Sequence, residues 1–458
     1  MTTPVPEPVE GRTSTSSATG SGGLAAGSGG SAAGSGGSAT GPADAFTAAR
    51  ERLLPVFADI AATAVEREQE HRLPRDEVRA LASAGFGSLR VPAELGGAGL
   101  SIVQLAELLI ELAAADANLP QIFRGHIAFV EDQLVAPTSE SRDRWLRRFV
   151  DGELVGNAWS EIGAGAIGVS GTVVSNATTA VGAIDPERLV IAGRKFYTTG
   201  SIYGDWIDAT ARAEIDGLPP VDATVLVRAD QPGVTILDDW DGFGQQLTGT
   251  GTLIFDNAEV ERVELRAFDD RFRYQTALYQ LTLVSVLAGI AAAVERDAGQ
   301  QIRERTRVYS HGLAPLAKDD GQIQAVVGEI SSIAFVAKQT VLGVATAVDA
   351  AAALAVDPSV ERDSAADLAV NIEAEIRSAQ AQVLLSELVP RAATVLFNTL
   401  GASAVSRSKD LDRHWRNARV VASHNPVIYK ARIIGDWSIN GTPPPYIWQI
   451  GTAVPSAT

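Results

Sequence analysis

The stretch ARVVASHNPVIYKAR, residues 418 to 432, sets an imidazole, His424, against Asn425 and Pro426 in a chain with only five histidines. Histidine exchanges protons and hydrogen bonds near neutral pH. At this position it can equally cap a helix that the proline ends. A second imidazole, His126 in RGHIAFVEDQL, fits either a catalytic cavity or a domain interface. The segment GNAWSEIGAG (156 to 165) reads as a strand entering a glycine-rich loop. Its end can present backbone N–H groups and the Ser160 hydroxyl to a flat heteroaromatic ligand, or it is an ordinary turn. In IAGRKFYTTGSIYGDW (191 to 206), Tyr197, Thr198 and Thr199 offer an aromatic face and two hydroxyls. The same residues are what strands generally prefer. His71, His311 and His414 read as surface or structural, with a salt bridge the simplest role for His414.

Composition removes several chemistries. Without cysteine there is no thiolate nucleophile, disulfide or cysteine-bound metal, and no metal site is expected. Acidic residues number 55 against 38 basic ones, and no basic run tracks a phosphate backbone, so nucleic acid is not an expected partner. The longest uncharged apolar run, TLVSVLAGIAAAV (282 to 294), falls short of the roughly 20 residues that span a bilayer. With no signal-like start, the expected location is cytoplasmic and no membrane partner is expected.

Three structural regions must position these residues. The Gly/Ser/Ala-rich stretch through residue 44 has no bulky side chains and reads as a disordered tail. Helical apolar spacing from 45 to 152 predicts a helical domain. Short β-branched runs from 153 to 262, such as RLVIAG and DATVLVRA, predict an antiparallel β domain of barrel or sandwich type. Long Ala-rich patterns from 263 to 445 predict a helical bundle, followed by a tail at 446–458. The fold class is α+β.

In this order and spacing, the motifs AWSEI, KFYTTG, DGFGQQLTGTGTLIFDNAEVE and SHNP resemble those of the acyl-CoA dehydrogenase superfamily. The resemblance covers essentially everything after residue 45. It implies an N-terminal helical domain, a central antiparallel β-barrel domain and a C-terminal four-helix bundle. It also implies a flavin lying along Asn157, Ala158, Trp159, Ser160, Glu161 and Ile162, with Tyr197, Thr198 and Thr199 against its other side. Arg307, placed in a bundle helix, is similar to the family's phosphate-binding arginine.

Departures from the dehydrogenase pattern indicate the reaction. Asn425 stands where many dehydrogenases carry the catalytic glutamate, and YQLTLVSVLAGIAAA (279 to 293) supplies no carboxylate, so no general base is evident. In NTLGA (398 to 402), Ala402 replaces a glycine that approaches the distal half of FAD, a steric objection that favours FMN with its phosphate near Ala402 and Ser403. These departures resemble the flavin monooxygenase branch, including enzymes acting on dibenzothiophene. That resemblance implies a cytoplasmic homotetramer taking FMNH2 from a separate flavin reductase and oxygenating a small organic substrate, chiefly at sulfur, through a flavin C4a-hydroperoxide. His424, His126 and Ser160 would be its catalytic residues, with His424 donating a hydrogen bond. No nicotinamide fingerprint is present. An FAD-dependent acyl-CoA dehydrogenase and a flavin-less scaffold are the competing readings.

Overall fold

The computed structural model describes residues 42–161, 171–178 and 184–446. The amino-terminal helices are α1 (Pro42–Glu70), α2 (Arg75–Ser83), α3 (Ile102–Ala115), α4 (Leu119–Val135) and α5 (Glu140–Val150). Ser101 starts α3 with a reciprocal cap: its hydroxyl accepts from the Gln104 N–H, and the Gln104 side chain accepts from the Ser101 N–H. Pro120 suits the first turn of α4, where its missing N–H has no partner to lose. Nearly every residue of α4 is buried, because it is wedged between the other helices and the sheet.

The sheet comprises β1 (Val155–Ala158), β2 (Val173–Thr178), β3 (Ile184–Phe196), β4 (Trp206–Glu214), β5 (Val221–Arg228), β6 (Val234–Ile236), β7 (Thr252–Val260) and β8 (Leu265–Ala267). Its order is β6-β7-β3-β2-β4-β5-β8, with β1 also paired to β4. Alternate β4 residues Ile207, Ala209, Ala211 and Ala213 point into its core, as the two-residue period of a strand requires. Two features differ from the expected antiparallel barrel. β1 and β2 both run parallel to β4, at Trp206–Ala209 and Arg212–Glu214 respectively, and among the described residues the strand path has two ends. β8 pairs with β5, so the sheet continues past residue 262.

The carboxy-terminal part contains α6 (Gln275–Glu304), α7 (Gly321–Ala355), α8 (Ala365–Val395), the single turn α9 (Phe397–Leu400), α10 (Asp412–Ala422) and α11 (Val427–Asn440). Burial of each large aliphatic side chain along α6 contributes about 1.5–3 kcal/mol. Gly289 lets α6 approach α3, since a Cβ there would stand 2.3 Å from the Ala113 Cβ. Three helices, α6, α7 and the α8 region, are long and apolar enough to cross a membrane by length and composition, which the short uncharged run did not reveal. In α6 that apolarity is consumed by packing, with 89% of the window buried. The fourth bundle helix is broken: α10 stops at Ala422, and α11 begins after Pro426. His424 therefore sits in a gap between two helices, rather than at the end of one long one.

Candidate functional site

Ala158 closes β1 opposite Ala209, and its methyl joins the sheet core, so only its backbone can face a ligand. Beyond it the Trp159 indole N–H donates to Asp208 Oδ2 at 3.1 Å, and the Arg271 guanidinium lies 4.9 Å from the centre of the same ring. Phe268 and Tyr279 meet Trp159 edge-on at 5.5 and 5.9 Å. Burial raises the Asp208 pKa, against the opposing pull of Arg271. Trp159 is thus a clamped wall of the site. The Ser160 carbonyl accepts the Phe196 N–H at 3.0 Å, while its hydroxyl has no hydrogen-bond partner among the described residues.

Several residues expected on a flavin are occupied elsewhere. The Glu161 carboxylate pairs with Lys195 and accepts the backbone N–H groups of Gly171 and Thr172, so it fastens the loop ends rather than facing a ligand. Burial lowers the Lys195 pKa, opposed by that same carboxylate. Ile162 lies outside the described residues. The Thr198 hydroxyl donates to the Gly251 carbonyl at 3.0 Å, and the Thr199 hydroxyl shares a 2.8 Å bond with Thr250. Tyr197 is half exposed and holds φ 64, a left-handed conformation uncommon for a bulky residue and often kept at functional sites. Its ring rests on Phe196 at 4.6 Å and Trp240 at 6.2 Å.

His424 is exposed to solvent, while the protein atoms packed around its ring desolvate it. Burial, then the Arg124 charge, lowers its pKa to about 3, while a side-chain hydrogen bond with Asn425 opposes the shift. It is therefore a neutral imidazole at ordinary pH, carrying one N–H to donate. Among the described residues no carboxylate acts on it. Arg124, on α4, lies 4.9 Å from the Tyr279 ring centre, and the Asn157 amide approaches the Tyr279 hydroxyl at 3.5 Å. Burial raises the Tyr279 pKa to about 12. Ring contacts and hydrogen bonds thus run from Tyr197 through Phe196 and Ser160 to Trp159, Tyr279 and Arg124, whose charge acts on His424. Arg124, Tyr279, Asp208 and Arg271 were missed from the sequence; only the helical period around RGH signalled Arg124.

His126 does not belong to this group. Its Nε2 lies 2.8 Å from the Gly87 carbonyl and its Nδ1 accepts the Val155 N–H at 3.2 Å, so both nitrogens are used by backbone. Burial lowers its pKa to about 4. The expectation of a catalytic His126 is corrected: it is a structural joint between α4, β1 and the turn at Phe86–Ser88. Arg307 also moves, because α6 ends at Glu304 and Arg307 lies in the exposed segment after it. Its carbonyl accepts from Arg305 at 2.8 Å, and Arg305 also donates to the Leu400 carbonyl, next to exposed Ala402 and Ser403. No hydrogen bond or ring contact among the described residues links this second group to the first.

Among the described residues, a Ser160 hydroxyl with no partner, an exposed aromatic face on Tyr197 and an accessible neutral imidazole fit a flat ring with polar edges. An exposed Arg307 with no carboxylate partner among the described residues fits a phosphate. The comparisons agree with the fold. The acyl-CoA dehydrogenase N-terminal domain matches residues 48–153 and the acyl-CoA dehydrogenase C-terminal domain matches residues 281–428, together more than half the chain. The probable FMNH2-dependent monooxygenase SfnC of Pseudomonas putida is 25% identical over 413 residues, 88% of this chain and 96% of its own. The dibenzothiophene monooxygenase TdsC of Paenibacillus sp. A11-2, solved with FMN and indole, is 26% identical with a TM-score of 0.76, covering 87% and 98% of the two chains. The methanesulfinate monooxygenase MsuC of Pseudomonas fluorescens is 25% identical with a TM-score of 0.74, covering 88% and 98%. With its three regions in the same order and both family domains matched, the chain belongs to the acyl-CoA dehydrogenase family.

Proposed function

We propose that this protein is a two-component flavin-dependent monooxygenase, using O2 and reduced FMN from a separate reductase to oxygenate a heteroatom, chiefly sulfur, of a small organic molecule. The observation that carries this reading is the neutral His424–Asn425 pair, with no carboxylate among the described residues acting on it, where a dehydrogenase of this family needs a base. Its relatives are named as FMNH2-dependent, dibenzothiophene and methanesulfinate monooxygenases. Bound FMN supplies the activation of O2 and the oxygen transfer. The chain supplies position and dryness: Trp159, clamped by Asp208 and Arg271, walls the ring, Ser160 offers its hydroxyl to a ring edge, and His424 donates its N–H. Arg307 and Ser403 would hold the phosphate.

A homotetramer suits the exposed apolar residues Phe335 on α7 and Ile428 and Ile439 on α11, which a partner would cover. Desulfurization of organosulfur compounds in the cytoplasm is the setting this reading favours. The test is rapid mixing of the protein–FMNH2 complex with oxygenated buffer, following flavin absorbance and hydrogen peroxide. The expected result is two resolved phases in the wild type and one fast phase, with immediate peroxide release, in His424→Ala. Single-phase reoxidation of the wild type at the rate of free FMNH2 would overturn the proposal. Retention of FAD and its bleaching by an acyl-CoA without oxygen would favour the dehydrogenase.

A further inference from the structure

Several interior arginines of this chain are matched to carboxylates, whereas Arg124, beside the site, is not. Arg67 pairs with Asp116 and Glu77, Arg90 with Glu131, Arg271 with Asp208 and Asp132, and Arg413 with Asp297. Arg124 has no hydrogen bond or ion pair among the described residues, and its Nε is buried without a partner. The Tyr279 ring faces the guanidinium at 4.9 Å. A cation–π contact attracts the charge without satisfying its N–H donors. Holding a desolvated guanidinium without a counter-ion is costly, and pairing it with an oxyanion removes most of that cost.

The placement is as informative as the lack of a partner. A Cβ on Gly125 would stand 2.6 Å from the Asn157 Cβ, so α4 presses directly on β1 and sets Arg124 beside Asn157 and Tyr279. Its charge acts on the His424 imidazole. Trp159 and Tyr279 provide aromatic surface next to the charge.

We infer that the substrate is an organic monoanion whose oxyanion group, a sulfinate, sulfonate or carboxylate, is bound by Arg124 while its apolar part lies against Tyr279 and Trp159. This rests on the oxygenase reading and narrows its substrate class. Two other oxyanion sources share the chemistry: the FMN phosphate and the negatively charged ring of reduced flavin.

Calorimetric titration of wild type, Arg124→Gln and Arg124→Lys separates them. The titrants are FMN, reduced FMN, riboflavin and reduced riboflavin, then benzenesulfinate, benzoate and the neutral methyl phenyl sulfone on the FMN complex. The expected result is that Arg124→Gln weakens benzenesulfinate or benzoate by about 10- to 100-fold, Arg124→Lys restores part of it, and methyl phenyl sulfone and every flavin bind as before. Weakened FMN with unchanged riboflavin would assign Arg124 to the phosphate and overturn the inference. Weakening confined to the two reduced flavins would assign it to the ring and do the same. Equal weakening of the anions and the sulfone, or no anion binding by the wild-type FMN complex, would also overturn it. Failure of the wild type to bind any flavin would instead sink the oxygenase reading itself.

Discussion

Arg124 and His126 sit two residues apart on α4 and face opposite sides of it, Arg124 toward Tyr279 and His126 toward the Gly87 carbonyl and the Val155 N–H. Successive positions on an α-helix turn by about 100°, so residues two apart cannot share a face. One helix therefore contributes a charge to the site and a fastening to the core.

Replacing His126 tests that division. His126→Phe keeps the ring packing against Phe149 at 5.2 Å but leaves the Gly87 carbonyl and the Val155 N–H unpaired. The expected loss is about 2–4 kcal/mol of stability in denaturant unfolding, with kcat unchanged in the folded enzyme. Loss of kcat at unchanged stability would return His126 to catalysis. The pH dependence carries a sign. The folded pKa, about 4, lies below the free value of 6.5, so the unfolded chain takes up the proton first. The stabilisation is fully present above pH 6.5 and is lost as pH falls toward 4, by about 3 kcal/mol. His126→Phe should flatten that part of the stability–pH curve.

The Asp208–Arg271 pair can be tested through Trp159. Asp208→Asn leaves Arg271 with Asp132 alone, at 3.6 Å, and keeps only a neutral acceptor for the indole N–H. A cost of about 2–4 kcal/mol is expected, below that of a fully orphaned buried charge because Asp132 remains. Flavin affinity should fall with it, as the Trp159 wall loosens. Calorimetric unfolding and FMN titration give the two numbers; unchanged FMN affinity in a destabilised variant would separate Trp159 from the cofactor.

Gly125 offers a purely steric test. Gly125→Ala forces a methyl into the space held by the Asn157 Cβ, so α4 and β1 must separate. Overpacking of this kind costs about 1–3 kcal/mol. Because Arg124 and Asn157 flank the contact, turnover should drop more than the stability loss explains, measured as kcat well below the melting transition. Unaltered kcat would mean that the α4–β1 spacing does not set the site.

How much of this was legible in the sequence follows from what each feature depends on. The helical stretches and strands such as RLVIAG and DATVLVRA are local, because periodicity and β-branching act within one segment. Pairing partners are not local: nothing in GNAWSEI says that β1 runs parallel to β4, or that Trp159 meets Asp208 49 residues away. His424 was singled out because Pro426 marks a break, although the second helix after the break was not foreseen. His126 was singled out by a resemblance in residue type and position, and neither says which face of a helix is free. Arg124 stood in the same quoted motif, but what marks it is a buried Nε with no partner among the described residues, and both burial and the lack of a partner are tertiary properties.

The last prediction concerns Glu375 on α8 and Lys430 on α11, a buried pair beneath the helix break that carries His424. Burial raises the Glu375 pKa to about 8 against the opposing pull of Lys430, and lowers that of Lys430 to about 8 against the pull of Glu375. Each ion is tolerated because of the other. Lys430→Met removes the only cation among the described residues that acts on Glu375, so the carboxyl is held more firmly in its protonated form. A raised folded pKa means stability that is present at low pH and lost as pH rises. The Lys430→Met variant should therefore be destabilised by about 3–5 kcal/mol at pH 8 and by less at pH 6, read from urea midpoints. Adding Glu375→Gln should recover most of that loss, because a neutral amide needs no counter-charge, and should remove the difference between the two pH values. If the double variant is no more stable than Lys430→Met, Lys430 acts through packing of its aliphatic stem rather than through its charge.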